Sequence, residues 1–536
     1  MKKIHIFIML VLSATSCSLE EYNPSGSTAE AVYSTPEGFE TLVNAAYSYQ
    51  RWWYGKEEAI NVSEMGTDIW TSAAGDVYPD LSSYNSLQGT NSALATLWKA
   101  LYSGVNICNA GIARIENVDL TNKRKIQLKS ELSFLRAFYY WHIVETWGGV
   151  HFTLTETSGI VTTANKTPVE KFYEQIISDL KFAADNLEVK TADYGRVTKP
   201  AAMAFLARIY LTRGLNDEAL KLCTSIIKDY DYELEDDYSD LWKMENNHSK
   251  EILYVVNYAT DLTLNDKKDD ILNPLGHGRG SNNAHMMYLM KYDNLPGLTR
   301  SIPYGRPFNR YMPTRSLLEL FSEEDGRYEA SFMEEWRANV KTKNLNIGDI
   351  AAIATRKIYD GNREDKSVYD INDIYKANGE VKDRLHYPTL TKHLDPTRTN
   401  YNEAQSAKDA IVIRLAEVYL IAAEAEMNLN HNDKAAYYIN KVRRRAAKPG
   451  KETEMEISSN QVTLDFILDE RAREFAGEQL RWFDLKRTGK LIERVKKMNP
   501  DGAQYIQTYH LVRPIPQEQL DAVTNRDEFK QNDEYK

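Results

Sequence analysis

Apolar residues recur three and four positions apart over most of this chain, the period of a helix with one buried face. Between Lys123 and Trp147 they fall at Leu128, Leu132, Leu135, Tyr139 and His142, and Gly148-Gly149 marks the stop. An earlier helix is predicted from just after Pro36 to about Tyr54. Two amphipathic helices are predicted over 198–230. Ala202, Phe205 and Ile209 mark the first, Gly214-Leu215-Asn216-Asp217 the turn, and Ala219, Cys223 and Ile226 the second. The same arrangement returns over 411–447. There Leu415, Val418, Ala422 and Ala425 are followed by the turn Asn430-His431-Asn432-Asp433 and then by Ala435, Ile439, Val442 and Ala446. Helix pairs joined by a short turn, with alanines where they approach, are tetratricopeptide-like units. Their separation predicts a right-handed helical stack interrupted by an insertion.

The insertion covers about 231–400, where the helical period lapses. Glu251-Ile252-Leu253-Tyr254-Val255-Val256 has strand composition. Asn273-Pro274, Gly276-His277-Gly278 and Leu295-Pro296-Gly297 are turn signals. Gly55 to Thr90 is a second stretch without a period, polar and long enough to predict a functional loop. The fold class expected is mainly α, about four tetratricopeptide-like helix pairs with a loop-rich insertion carrying short strands. Residues 31–536 are read as a single domain.

The N-terminus is of another kind. Lys2 and Lys3 precede the apolar run Ile4–Leu12, broken only by His5, and Ser13-Ala14-Thr15-Ser16 leads to Cys17. Spanning a bilayer takes about 20 apolar residues, so this run reads as a secretory signal. Small residues ending at a cysteine resemble a bacterial lipobox, although Ala14 stands where leucine is usual. Residues 1–17 are therefore expected to be a signal peptide, Cys17 the acylated mature N-terminus, and 18–30 a flexible tether broken by Asn23-Pro24-Ser25-Gly26-Ser27. The competing reading is an ordinary signal peptide with Cys17 incidental. Ser18-Leu19-Glu20-Glu21 resembles an acidic signal that sends lipoproteins to the cell exterior. Cys108 and Cys223 lie in helical, partly apolar runs and read as buried free thiols, with a pairing of the two as the alternative.

Composition narrows the function. A net charge of −11 argues against nucleic acid. The 42% apolar and 27% charged fractions are those of an ordinary folded protein. The 34 tyrosines and 9 tryptophans supply flat rings with a hydrogen-bonding edge, which suit the C–H face of a sugar. Asp, Asn and Arg then suit the hydroxyl rim. Two regions carry both parts. The first holds Trp52, Trp53, Asp68, Trp70 and Tyr78, with Asp76 nearby. The second holds Tyr288, Tyr292, Tyr304 and Arg306 in the insertion, with Arg398 and Tyr401 as weaker candidates. Asp68, Trp70 and Tyr78 rank first, because loop aromatics have little core to fill. Against this, Trp52 or Trp53 fits the core behind the first helix, and Tyr288 and Tyr292 fit ordinary helix packing. Trp141, Trp147 and Trp482 read as structural.

No catalytic constellation emerges. Asp469, Glu470, Glu474 and Glu478 invite a glycosidase reading. Yet Arg473 and Arg481 stand at helical ion-pairing spacings, Asp469 and Glu470 with Arg473, and Glu478 with Arg481. An arginine-held carboxylate is too acidic for a general acid, so a structural salt-bridge lattice is expected. No zinc motif, nucleophile elbow or phosphate loop is present. Gly276–Gly280 reads as a flexible loop, and His277 with His285 is weak grounds for a metal. Neither metal nor cofactor is predicted.

Several segments resemble the SusD/RagB family of glycan-uptake lipoproteins. The strongest runs Ile467-Leu468-Asp469-Glu470-Arg471-Ala472-Arg473-Glu474-Phe475-Ala476-Gly477-Glu478 and continues Arg481-Trp482-Phe483-Asp484-Leu485-Lys486-Arg487-Thr488-Gly489. Phe134–Tyr140 with Trp147-Gly148-Gly149-Val150 is similar to the family's early helix. Pro313-Thr314, Asp325-Gly326-Arg327-Tyr328, Tyr387-Pro388-Thr389, Pro514-Ile515-Pro516 and Asn532-Asp533-Glu534-Tyr535 follow in family order. The resemblance implies a non-catalytic protein on the outer leaflet of the outer membrane. Such a protein caps a SusC-type TonB-dependent transporter and captures oligosaccharide for it. It does not carry ligand positions over, since the family's ligand loops vary most. The alternatives are a peptide-capturing branch, a purely transporter-capping scaffold and a hydrolase.

Overall fold

The computed structural model describes residues 29–259, 261 and 282–535. The expected signal segment with Cys17, most of the tether, and Gly276–Gly280 with His277 lie outside the described residues.

Local signals set the helix boundaries. The Thr35 hydroxyl accepts from Gly38 N–H at 3.1 Å and Pro36 occupies the first turn, starting α1 (Pro36–Ser48). Asn91 and Thr121 cap α2 (Ser92–Arg114) and α3 (Asn122–Trp147) in the same way. Gly148, with φ +73°, ends α3 in the left-handed region that glycine enters without strain. Then come α4 (Val169–Asn186), α5 (Lys199–Thr212), α6 (Asn216–Asp229), α7 (Leu415–Asn428) and α8 (Asn432–Ala446). Each packs on the next, and α6 against α7 carries the stack across the insertion. The four helix pairs expected from the sequence are present. The stripe read on α3 understates its burial. From Ser130 to Trp147 every residue is buried, because α1, α2 and α4 surround it.

The predicted strand is present as β2 (Ile252–Val256). It pairs antiparallel with Ala410–Arg414, directly before α7, which seats the insertion on the stack. The insertion has an apolar core of its own, built around Trp70, Met287, Tyr288, Met290, Tyr311 and Trp336. Cys108 and Cys223 are free and buried in the helical core.

The stretch from Gly55 to Thr90 is not the open loop its composition predicts. It holds a helix, Glu57–Ser63, and β1 (Trp70–Ser72), and Trp52 to Thr71 is buried without a break between the two cores.

A helix from the signature segment, α9 (Leu464–Phe475), fastens these parts together. Glu470 meets Arg327 at 2.8 Å, Arg443 at 2.7 Å and Arg473 at 2.8 Å. Glu474 meets Arg327 at 2.8 Å, Arg414 at 2.6 Å and also Arg445. The lattice is there, but two of its predicted pairings are not. Asp469 pairs with Arg494 rather than Arg473. Glu478 pairs with Arg414 at 2.8 Å and Lys392 at 2.9 Å, rather than Arg481. Between packed layers, a buried carboxylate meets cations from other elements before it meets its own helical neighbours.

Candidate ligand-binding surface

β1 pairs antiparallel with β3 (Tyr311–Pro313), in the register Trp70↔Pro313, Thr71↔Met312 and Ser72↔Tyr311. Antiparallel pairing puts the chain leaving β1, 73–78, and the chain entering β3, 304–310, at the same end of the ribbon. The two aromatic regions singled out in the sequence therefore belong to one structure.

Backbone bonds lock these loops together. Ala73 N–H donates to Arg310 O at 2.9 Å, and Gly75 N–H to Asn309 O at 2.8 Å. Gly75 is required here, since a Cβ would lie 2.3 Å from Phe308 O. The Asp76 carboxylate ties the turn by accepting from Ser72 Oγ at 2.6 Å, Tyr78 N–H at 2.9 Å and Ser82 Oγ at 3.1 Å. Burial raises its pKa, against these bonds. Arg310 ion-pairs with Glu57 at 2.7 Å and donates to Gly75 O. A third loop joins through Arg384, which donates to Ser72 O and holds Asp501 at 2.8 Å.

On this base lies a shelf of partly exposed rings and guanidinium groups. Phe308 is half-buried, with Arg306 5.0 Å and Arg310 5.1 Å from its ring centre. Tyr304 is half-buried beside Tyr292, and its hydroxyl accepts from Arg337 N–H at 2.8 Å. Arg306 donates to Asn402 O at 2.7 Å, next to Tyr401, which is 46% exposed. The Arg306 Nε has no hydrogen-bond partner among the described residues, and its pKa is lowered by burial and by Arg300. Val77 is 48% exposed and Tyr78 half-buried, packed toward the helical core.

The other sequence candidates are not at the surface. Trp70 is fully buried, its ring 4.8 Å from Tyr288 and 6.5 Å from Phe332. Tyr288 and Tyr292 fill the same core, and the Tyr292 hydroxyl donates to Gly305 O. These rings looked idle because the insertion's own core could not be foreseen. Trp53 lies under the stack, 4.2 Å from His142, and Trp52 is buried beside it. The Asp68 carboxylate is closed off by Arg481, at 2.7 and 2.5 Å, and by Arg494, at 2.7 Å. Burial alone would raise its pKa, but the two arginines outweigh it and lower it. Arg398 is buried, its Nε and Nη1 donating to the Asp395 and Glu403 carbonyls at 3.0 and 3.2 Å, while its Nη2 has no partner among the described residues.

Sequence reading passed over Phe308, Arg310, Arg384 and Asn402. Arg306-Pro307-Phe308-Asn309-Arg310 carried a signal, two arginines set around one aromatic ring, and Asn309, with φ +56°, turns the chain between Phe308 and Arg310. Two open clefts, of about 530 and 510 Å³, flank the loop around Tyr194, and no sequence candidate lines either of them. Among the described residues no three His, Cys, Asp or Glu side chains converge as a metal site. Glu470 and Glu474 on α9 are held below the ordinary range: burial opposes ionisation, but Arg327, Arg473 and Arg443 outweigh it at Glu470, and Arg445, Arg414 and Arg327 at Glu474.

Comparison with known proteins finds two matching family models. Residues 273–535 match the SusD family, and residues 21–211 match the family described as starch-binding, associating with outer membrane. A SusD-like protein of Formosa agariphila is 26% identical over 97% of this chain and 96% of its own length. A solved SusD homolog from Bacteroides thetaiotaomicron superposes with a TM-score of 0.72 at 20% identity, over 96% of this chain and all of the other. Surface glycan-binding protein A from the same organism, solved in complex with laminarihexaose, superposes with a TM-score of 0.64 at 22% identity, over 93% of this chain and 99% of the other.

Proposed function

This chain belongs to the SusD-like family, and from that premise we propose that it captures an oligosaccharide outside the outer membrane and passes it, uncut, to a SusC-type TonB-dependent transporter. The lipid on Cys17 holds it at the membrane. Tyr304, Phe308, Tyr78 and Tyr401 offer ring faces to the sugar, and Arg306 and Asn402 meet its hydroxyls. The observation that carries this is Arg306. It is partly desolvated, no carboxylate ion-pairs with it among the described residues, and it lies over Phe308 on a surface built by three locked loops. A guanidinium beside an exposed ring provides both contacts that a pyranose needs.

Among the described residues, the carboxylates singled out in the sequence are poorly placed to act as an acid–base pair. Asp76 is knotted into its turn, and Asp68, Glu470 and Glu474 are buried under arginine. The test is calorimetric titration of the folded chain with a panel of neutral oligosaccharides. Laminarihexaose is the first probe, because one fold neighbour was solved with it. Binding that is lost in Tyr304→Ala and Arg306→Ala supports the reading. Binding that persists in both removes the shelf as the site. Affinity for peptides alone would favour the peptide-capturing alternative, and release of reducing ends would overturn the non-catalytic claim.

A further inference from the structure

Ile160 and Val161 are 94% and 59% exposed, and Leu154, six residues earlier, is 41% exposed. Two adjacent β-branched side chains thus stand open to water, and with Leu154 they form a small apolar tip. They lie in the connection between α3 and α4, within a run from Thr157 to Asn165 that has no charged residue. The run is held on both flanks. Thr157 N–H donates to Asn106 Oδ1 at 2.8 Å, Thr524 N–H to Thr162 O at 2.8 Å, and Asn525 Nδ2 to Ala164 O at 2.8 Å. Between these pins Gly159, with φ +67° and no atom near its Cβ direction, turns the tip outward.

Position supplies the occupant. Arg114 bridges Glu156, at 2.6 Å, to Glu30, the second residue described. The apolar tip thus stands beside the point where the chain enters the fold. Twelve positions separate Cys17 from Ala29, a reach of at most about 40 Å when extended. We propose that Ile160 and Val161 insert shallowly into the lipid surface, as a second membrane contact beside the anchor. The inference rests on reading Cys17 as acylated. A lipid anchor leaves the body free to rotate, whereas an anchor with an apolar contact fixes which face looks outward. The tip carries no Lys or Arg, so the contact is apolar and insensitive to salt.

The test uses the mature acylated chain in phosphatidylcholine vesicles, with an environment-sensitive fluorophore on Ile160→Cys. The control carries it on Tyr437→Cys, a position 56% exposed on α8. Cys108 and Cys223 are buried and do not compete for the label. Nitroxide lipids with the quencher near the headgroup boundary are expected to quench position 160, spare position 437, and do so equally at low and high salt. No quenching at 160, or equal quenching at both positions, overturns the proposal. Protection at 160 that arises only when transporter is added makes the tip a protein interface and also overturns it. A mature chain whose mass shows no acyl group overturns the anchor reading, and the membrane contact with it.

Discussion

Asp68 and Arg481, 413 positions apart, face each other through two hydrogen bonds of 2.7 and 2.5 Å in the seam between the two cores. Arg494 adds a third at 2.7 Å. Removing one partner strands the others in a dry site. Asp68→Ala is therefore expected to lower stability by about 3–5 kcal/mol, read by urea unfolding. The fraction that remains folded should bind glycan normally, since this carboxylate never meets solvent. Loss of binding with unchanged stability would return Asp68 to the ligand site.

Trp70 and Tyr304 should part in the same way. Trp70→Ala opens a cavity against Tyr288 and Phe332, and is expected to cost about 3–5 kcal/mol of stability. Tyr304→Ala removes a half-exposed ring. It should leave the melting temperature nearly unchanged and weaken oligosaccharide binding by about 1 kcal/mol, several-fold in Kd. Thermal melts and titrations of both variants decide the assignment.

The helical stack was legible because its period repeats in every unit, as at Ala202, Phe205 and Ile209. The full burial of α3 was hidden by its polar residues. Arg136, for example, reads as surface but lies in a buried pair with Asp179, at 2.8 Å. The shelf was half legible. Tyr78, Tyr304 and Arg306 could be picked by residue type, but Trp70 and Tyr288 could not be discarded. A three-residue strand carries no readable period, and the ring that covers Trp70 lies more than 200 positions away. Phe308 stood between Pro307 and Asn309, whose turn chemistry drew attention away from its place between Arg306 and Arg310.

The α9 lattice predicts a pH-dependent mutant effect. The Glu474 carboxyl is held near pH 2, against an ordinary value of 4.5, because Arg445, Arg414 and Arg327 outweigh the effect of burial. A depressed folded-state pKa contributes stability that is complete above the unfolded value and is lost as pH falls toward the folded one. Glu474→Gln should therefore cost about 3–5 kcal/mol at pH 7. That penalty should shrink between pH 4.5 and 2, as the wild-type carboxyl takes up its proton. Urea unfolding of both chains at pH 7 and pH 3 measures the difference.

Glu64 should behave oppositely. It is buried, its Oε1 accepts from Leu480 N–H at 3.1 Å, and its Oε2 has no partner among the described residues. Burial pushes its pKa up to about 8, with Arg481 and backbone N–H groups opposing, and Tyr288 faces it from the insertion. The folded chain then holds a proton that the unfolded chain releases near pH 4.5, so this group's contribution to stability falls as pH rises from 4.5 to 8. Glu64→Gln keeps the acceptor and removes the titration. The variant should gain on the wild type across that window and show a flatter profile. Parallel profiles would mean that Glu64 is ionised in the fold.

Thiol counting reaches the anchor without a membrane. The chain has three cysteines, and Cys108 and Cys223 are free and buried, their thiol pKa values pushed well up by desolvation. Only thiolate reacts readily with disulfide reagents, so both should be silent in the native protein. If Cys17 is the acylated N-terminus of the mature chain, its sulfur is bonded as a thioether and stays silent even after unfolding. Native protein purified from its own membrane should therefore titrate no thiols, and the same protein in guanidinium should titrate two. A third reactive thiol in guanidinium would mean that Cys17 is retained but not lipidated, and the attachment would then need another explanation. Two thiols with an N-terminus beyond residue 17 would fit simple secretion. Intact mass separates that case from acylation, because only the lipoprotein carries the added acyl chains.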